Sequence, residues 1–312
     1  MQTPYQNVVI THRRIAAGVP DIHSLYINGR LQFASNDERV YHAYLTTPAM
    51  LASARTRDVL VIGGGDGLAL RDILKWDPAS VTLIDLDAQL VDLFAGRDTN
   101  APERVSEALT QINGNAFNDP RVTVRTADAF IDVETLLRER PGQAFDVVVI
   151  DLPDPSHPDL NKLYTSHFYT RVRNLMSGDG AVTIQSTSPF HAKDAFLSIG
   201  KSLAHAGFQV DQYHANVPSF GEWGWTIGTL TGSSPKTRLT DASTATTPDG
   251  ILNHALIMAA FEFTPGFYDR AKDVEINRLG SHIVYNYHQR AWQSLQGTFY
   301  TEDHTTTENA AH

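Results

Sequence analysis

The chain has 312 residues, 42% of them hydrophobic, enough to bury a full core in one large α/β domain or a domain with additions. Lys and Arg number 25 against 35 Asp and Glu; the formal charge of -10 argues against a polyanionic partner such as nucleic acid and permits a cationic one. No cysteine is present, which excludes disulfides, thiolate metal sites and cysteine nucleophiles and leaves the redox compartment open.

The opening MQTPYQNVVITHRR lacks the basic-then-apolar pattern of a signal sequence. No apolar run approaches the roughly 20 residues that span a bilayer, so a soluble, cytoplasmic chain is expected. From Tyr5 to about Ser35 short β-rich runs flank Asn28-Gly29, a hairpin-turn dipeptide, and predict a small N-terminal β-hairpin domain. Asp37 to Ala54 has helical apolar spacing at Val40, Tyr41, Tyr44 and Leu45 and predicts a connecting helix broken near Pro48.

From Asp58 strands and helices alternate, the pattern of a parallel sheet with right-handed crossovers. Predicted strands are 58–62, 80–84, 121–126, 145–150, 181–185, 208–215 and 225–230, a Rossmann-like seven-stranded nucleoside-binding sheet in an α/β fold. Residues 96–118 are long for a helix-to-strand connection and predict a short helix of their own, as a lid or an insertion. The expected divisions are the hairpin domain and connecting helix (1–54), the Rossmann-like domain (55–230), a flexible Ser/Thr-rich loop (231–250), a helical extension (251–298) and a disordered tail (299–312).

Gly63-Gly64-Gly65-Asp66-Gly67 follows a strand and opens a helix, where glycines let backbone approach a ligand closely. Position 68 is Leu, so the dinucleotide spacing G-x-G-x-x-G is not met and a nucleoside loop is the better reading. Asp85 ends the second sheet strand, where a carboxylate can accept from both ribose hydroxyls; Asp87 is the better helix cap. Asp128 ends the third strand and can accept from an adenine amino group. Asp66 would repel the carboxylate of S-adenosylmethionine and attract the bare ammonium of its decarboxylated form, by about 4 kcal/mol for unit charges at ~4 Å and an effective dielectric near 20. In FDVVVIDLPDPSHP, Asp151 and Asp154 stand together in a proline-stiffened loop, suited to binding a diamine and removing a proton from the attacking nitrogen. Asp151 is the expected base and Asp154 the anchor of the amine chain.

Taken together, these residues make the chain resemble the spermidine synthase family of polyamine aminopropyltransferases over roughly Tyr5 to Leu230. Tyr5-Gln6 is similar to the family's donor-contacting Tyr-Gln, NGRLQFASNDERVYH to its hairpin and D-E-x-x-Y-H/Q segment, and Gly63 to Gly67 to its GGGDG. Asp85 in IDLD resembles the ribose-binding acid, Asp128-Ala129 in ADAF the adenine-side pair, Asp151 to Asp154 the D-x-x-D-P loop, and Gln185 also matches. The resemblance implies direct displacement at the aminopropyl carbon of decarboxylated S-adenosylmethionine, a co-substrate with no prosthetic group and no metal. Methylthioadenosine is released, the acceptor is putrescine or a related polyamine, and a homodimer or homotetramer is implied. It implies donor contacts at Gln6, Gly63, Gly65, Asp66, Asp85, Asp128 and Ala129, and places Tyr41 and His42 along the amine channel. Departures fall on the amine side. Leu152-Pro153 separate the aspartates, His157-Pro158 follow them, and Pro218-Ser219-Phe220 replaces the family's Pro-Thr-Tyr, bringing Glu222 and Trp223 into the expected acceptor site. These features, with VEINRLGSHIVYNYHQRAW, resemble a bacterial branch whose catalytic domain follows a membrane region. The alternatives carried are a small-molecule methyltransferase and a non-catalytic polyamine or nucleoside-binding module.

Overall fold

A computed structural model of the chain describes residues 1–295 apart from 143, 244–246 and 249. Strands β1 (Val8–Arg13), β2 (Ile22–Ile27) and β3 (Arg30–Ala34) form an antiparallel meander. Asn28 and Gly29 both take positive φ, 51° and 77°, which makes the tight β2–β3 turn that this dipeptide favours.

Helix α1 (Glu38–Ala52) leads into the main sheet and runs straight through Pro48, contrary to the expected break. Proline at that position removes the donor that Tyr44 C=O would have used one turn earlier. The Tyr213 hydroxyl supplies the replacement, donating to that carbonyl at 2.7 Å. Tertiary structure therefore makes the proline tolerable.

The main sheet contains β4 (Asp58–Gly63), β5 (Ser80–Asp85), β6 (Val122–Thr126), β7 (Phe145–Asp151), β8 (Met176–Gln185), β9 (Gln209–Val217) and β10 (Gly221–Thr229), in the order β6-β5-β4-β7-β8-β10-β9. The intervening helices are α2 (Leu68–Leu74), α3 (Ala88–Phe94), α4 (Glu103–Ile112), α5 (Ala129–Glu139), α6 (Pro158–Asn161), α7 (Ser166–Asn174) and α8 (Lys193–His205). The expected α/β fold with seven sheet strands and a small N-terminal β-unit is what the chain forms. One strand departs from the parallel pattern: β10 is antiparallel to both β8 and β9. Three residues, Pro218 to Phe220, join β9 to β10, enough for a hairpin and too few for a crossover.

Central strands are buried on both faces, as their unbroken apolar runs require. Val59, Leu60, Val61 and Ile62 are all inaccessible to solvent, each contributing about 1.5–3 kcal/mol of transfer free energy. The chain steps outward from β4 to β5 to β6, then returns to place β7 against the other side of β4. This makes a topological switch point between β4 and β7, where open α/β sheets bind ligands. Gly63 and Asp151 are paired partners at its carboxyl end.

Beyond the sheet lie α9 (Pro235–Asp241), α10 (His254–Ala259) and α11 (Ile283–Leu295). Helix α9 falls inside the stretch expected to be a flexible loop. Ser234 caps it by accepting from Thr237 N–H, Pro235 occupies its first turn, and Leu239 is buried, so capping and one apolar anchor outweigh the polar composition. The expected disordered tail lies outside the described residues. Among the described residues no helix is long and apolar enough to cross a membrane.

Candidate active site

The glycine loop closes against the end of β7 at van der Waals limits. A side chain on Gly63, which has φ 79°, would place its Cβ 2.1 Å from the Asp151 carbonyl oxygen; one on Gly65 would meet an Asp85 carboxylate oxygen at 2.7 Å. Gly64 N–H donates to Asp151 C=O at 3.0 Å, tying the two acidic loops together through backbone. Asn113, fully buried at the end of α4, donates to the carbonyls of Asp66 and Phe94 at 3.1 and 2.9 Å. The 96–118 segment thus buttresses the loop. Asn113 was not among the expected site residues, because a single Asn in a polar stretch carries no periodic or motif signal.

The acids expected to hold the donor are arranged as helix caps and turn acceptors. Asp66 accepts from Leu68 N–H at 3.0 Å, and Asp85 from Asp87 N–H at 2.8 Å. Asp87 caps α3 by accepting from Gln89 and Leu90 N–H, and Gln6 donates to its other oxygen at 2.8 Å, so Gln6 reaches this edge by way of Asp87. Asp128 caps α5 through Phe130 N–H, with Ala129 as the first helical residue, and its second oxygen pairs with Lys162 at 2.6 Å. An adenine amino group would therefore share Asp128 with two donors already present.

Burial sets the charge state of the central acids. It raises the Asp66 carboxyl to about 6, opposed by the positive charge of His42 and reinforced by the negative charge of Asp151. It raises Asp85 to about 7, with the Asp87 N–H bond opposing. The Asp151 carboxyl is also raised by burial, with His42 and the Tyr41 hydrogen bond opposing. Tyr41 hydroxyl donates to Asp151 Oδ1 at 2.7 Å, leaving Oδ2 with His42 Nε2 at 3.9 Å.

His42 is the buried counter-charge. Its Nδ1 donates toward the Glu38 carbonyl at 2.8 Å and carboxylate at 3.0 Å. Burial alone would lower its pKa, but the Glu38 hydrogen bond and charge prevail and raise it to about 9, so the imidazolium persists at neutral pH. Glu38 is itself held by Arg71 through bonds of 2.7 and 3.0 Å. It stands in the DERVYH run, but its role shows only when the helix brings residues four apart together.

On the amine side, Gln185 at the end of β8 reaches Leu152 C=O, Asp154 Oδ1 and Tyr164 hydroxyl at 3.0, 3.2 and 3.1 Å. Tyr164 also donates to Pro153 C=O at 2.9 Å and so shapes the aspartate loop. Phe220 packs edge-on to Tyr41 and tilted on Trp223, with ring centroids 6.0 and 5.0 Å away, which builds an aromatic wall beside the Asp151 partner. Asp37 fixes this wall by accepting from Ser219 N–H and hydroxyl. Glu222 is instead bonded to His214 of β9. The run VEINRLGSHIVYNYHQRAW contains His288 and Trp292 of α11, but sequence reasoning gave neither a site role: His288 Nε2 lies 3.2 Å from Asp154 Oδ2.

The seven-stranded α/β sheet, with a glycine loop and paired aspartates at its switch point, places the chain in the Rossmann-like class of folds. Within that class the chain belongs to the spermine/spermidine synthase family: the family's Spermine/spermidine synthase domain matches residues 38–240. It is 53% identical over 295 residues to a polyamine aminopropyltransferase of Shewanella oneidensis, covering 95% of this chain and 51% of that protein. It is 37% identical over 296 residues to polyamine aminopropyltransferase 2 of Ralstonia nicotianae, covering 95% and 53%. The chain thus spans about half the length of these curated relatives. Among solved structures it resembles a spermidine synthase in complex with the transition-state analogue AdoDATO, at TM-score 0.69 and 21% identity over 88% of this chain and 86% of that one. Spermidine synthase from Thermotoga maritima is similar at TM-score 0.66 and 20% identity, covering 86% and 88%. These two likenesses establish the fold.

Proposed function

We propose that this chain transfers the aminopropyl group of decarboxylated S-adenosylmethionine to putrescine or a related amine, releasing methylthioadenosine. The observation that carries the reading is the pairing of Gly63 with Asp151, which sets the glycine loop and the aspartate loop side by side at the switch point. Curated relatives named as polyamine aminopropyltransferases support it.

In this reading Gln6, Gly63, Gly65, Asp85, Asp128 and Ala129 hold the nucleoside, and Asp66 takes the aminopropyl ammonium. The ammonium relieves a buried carboxylate that folding leaves short of positive charge. Asp154, Gln185, Tyr41 and the Phe220–Trp223 wall receive the amine. An ammonium has no lone pair, so the attacking nitrogen first gives a proton to Asp151, whose raised pKa makes it the stronger base. The nitrogen then attacks the methylene carbon, the carbon–sulfur bond breaks, and its electron pair neutralises the sulfonium as methylthioadenosine leaves. Tyr41 keeps Asp151 aimed, and proximity of two held reactants supplies much of the rate. His42, bound to Glu38 through Nδ1, acts as a charge beside both carboxylates.

The proposal includes a homodimer or homotetramer on the cytoplasmic side and association with a membrane region, as in the bacterial branch the sequence resembles. Light scattering and membrane fractionation of the native protein test these. The chemistry is tested by incubating the chain with decarboxylated S-adenosylmethionine and putrescine. Methylthioadenosine release is expected; no release with any polyamine, or tighter binding of S-adenosylmethionine than of its decarboxylated form, would sink the reading.

A further inference from the structure

The family match ends at residue 240, yet the segment beyond it returns to the amine side of the site. Asn277 Nδ2 donates to the carbonyls of Asn161 and Tyr164 at 3.2 and 3.1 Å, and Tyr285 N–H donates to Asn161 Oδ1 at 3.1 Å. Gln289 Nε2 donates to Ser156 C=O at 3.0 Å. Four bonds from the extension therefore clasp the stretch that follows Asp154. At their centre His288, wholly buried on α11, sets Nε2 3.2 Å from Asp154 Oδ2, while Gln185 holds Oδ1.

The neighbourhood of His288 is unbalanced. Trp292, one turn along α11, donates its indole N–H to the same Nε2 at 2.8 Å. One nitrogen cannot donate to a carboxylate and accept from an indole with a single proton position. Nδ1 is buried with no hydrogen-bond partner among the described residues. A polar ring is kept at full desolvation with half its capacity unused, an arrangement that costs about 1–3 kcal/mol per unpaired group. An apolar side chain would pack there without that cost. What the histidine gains over such a residue is its contacts with Trp292 and, at the aspartate loop, with Asp154.

We propose that His288 is a positioning residue for Asp154 and determines acceptor length. This rests on the reading that Asp154 anchors the distal ammonium of the amine. A carboxylate has about four acceptor directions. Gln185 donates along one and the buried His288 ring closes off the space before another, so the incoming ammonium is confined to those left, at a fixed distance from Asp151. The spacing between proton acceptor and anchor then selects among diamines by the number of methylenes between their nitrogens. The recognised ligand is a short linear α,ω-diamine, and the C-terminal extension, outside the family domain, carries the ruler.

The test is a steady-state series of linear diamines with three to six methylenes, assayed by methylthioadenosine release with wild type, His288→Ala and His288→Gln. For His288→Ala the acceptor KM is expected to rise about 10-fold or more for the best diamine. The ranking by length should flatten, while kcat and donor KM stay within about two-fold. His288→Gln, which keeps a polar group of similar reach against Asp154, should recover part of the ranking. An unchanged length profile in both variants overturns the inference while leaving the transfer reading intact. Equal loss of kcat across the series, or failure of both variants to give a cooperative melting transition, also overturns it by making His288 a packing residue. Absence of turnover by wild type with every amine would remove the transfer reading and this inference together.

Discussion

Around Gly63–Gly67 the site is held by neighbouring backbone: Gly64 N–H on Asp151 C=O, Asp66 on Leu68 N–H, Asp85 on Asp87 N–H. Around Asp151–Asp154 it is held by side chains from α1, β8 and α11, with His288 lying 134 residues beyond Asp154. The first arrangement leans on local backbone, with Gly63 and Gly65 admitting no side chain, and in the proposed reading it faces the ligand part that never varies, the nucleoside. The second is revised by a single substitution and suits a part that does, the amine. The two sides meet at His42, whose charge acts on both Asp66 and Asp151.

The sharpest way to separate the two sides is Asp151→Asn. Asn cannot accept the amine proton, and kcat is expected to fall about 10²–10⁴-fold, the range of a lost general base, with donor affinity nearly unchanged. Calorimetric titration of the donor beside turnover assays reads both quantities. Turnover within a few-fold of wild type would return the base to some other group.

Asp66→Asn should act on the opposite side. Donor KM is expected to rise about 10–100-fold, by loss of one partly buried charge pair, and preference over S-adenosylmethionine should shrink. The same change should stabilise the free protein. A carboxyl raised to about 6 contributes stability below the ordinary value of 3.8 that is lost as pH rises through about 6. At pH 8 Asp66 is ionised and costs on the order of 1–2 kcal/mol after allowance for partial exposure. Asn retains the acceptor for Leu68 N–H, so a Tm higher by about 2–5 °C is expected at pH 8 and little change at pH 4. A lower Tm at pH 8 would mean the carboxylate is already compensated.

His42 links the halves, and pH isolates it. Its pKa is raised from 6.5 to about 9, so its contribution is complete below about 6.5 and is lost as pH rises through about 9. Up to about 3 kcal/mol is at stake. Melting curves from pH 7 to 9.5 should slope downward more steeply for wild type than for His42→Gln, a window above the Asp66 and Asp85 transitions. Parallel slopes would show that His42 is neutral in the folded protein.

The glycine loop was legible because its residues are contiguous: five positions, a strand before and a helix after define Gly63–Gly67 without reference to anything distant. Asp151 was legible for the same reason, at the end of an unbroken apolar strand. Glu38, Asn113 and His288 were not, since each acts through a partner brought near by folding and has no local pattern of its own. Glu222 is the reverse case. Its place beside Phe220 and Trp223 suggested the acceptor wall, but alternation along β10 and the presence of His214 on β9 give its carboxylate a different partner.

The smallest effect tests how α1 is allowed to carry Tyr41 and His42 in spite of Pro48. The helix presents both residues to the switch point only if it continues past Tyr44, whose carbonyl has lost its helical donor. Tyr213→Phe removes the hydroxyl that replaces it and also the contact with Thr183 at 3.2 Å, while keeping the ring stacked on Trp225. A buried carbonyl left unpaired costs about 1–3 kcal/mol, so Tm should fall by about 2–6 °C. Because the ring packing survives, α1 should keep its course and kcat should stay within about two-fold. A loss of turnover larger than this, with a normal melting transition, would mean that the helix bends at Pro48 once the hydroxyl is gone and withdraws Tyr41 from Asp151. An unchanged Tm would mean that Tyr44 C=O finds another donor, and that the proline never needed Tyr213.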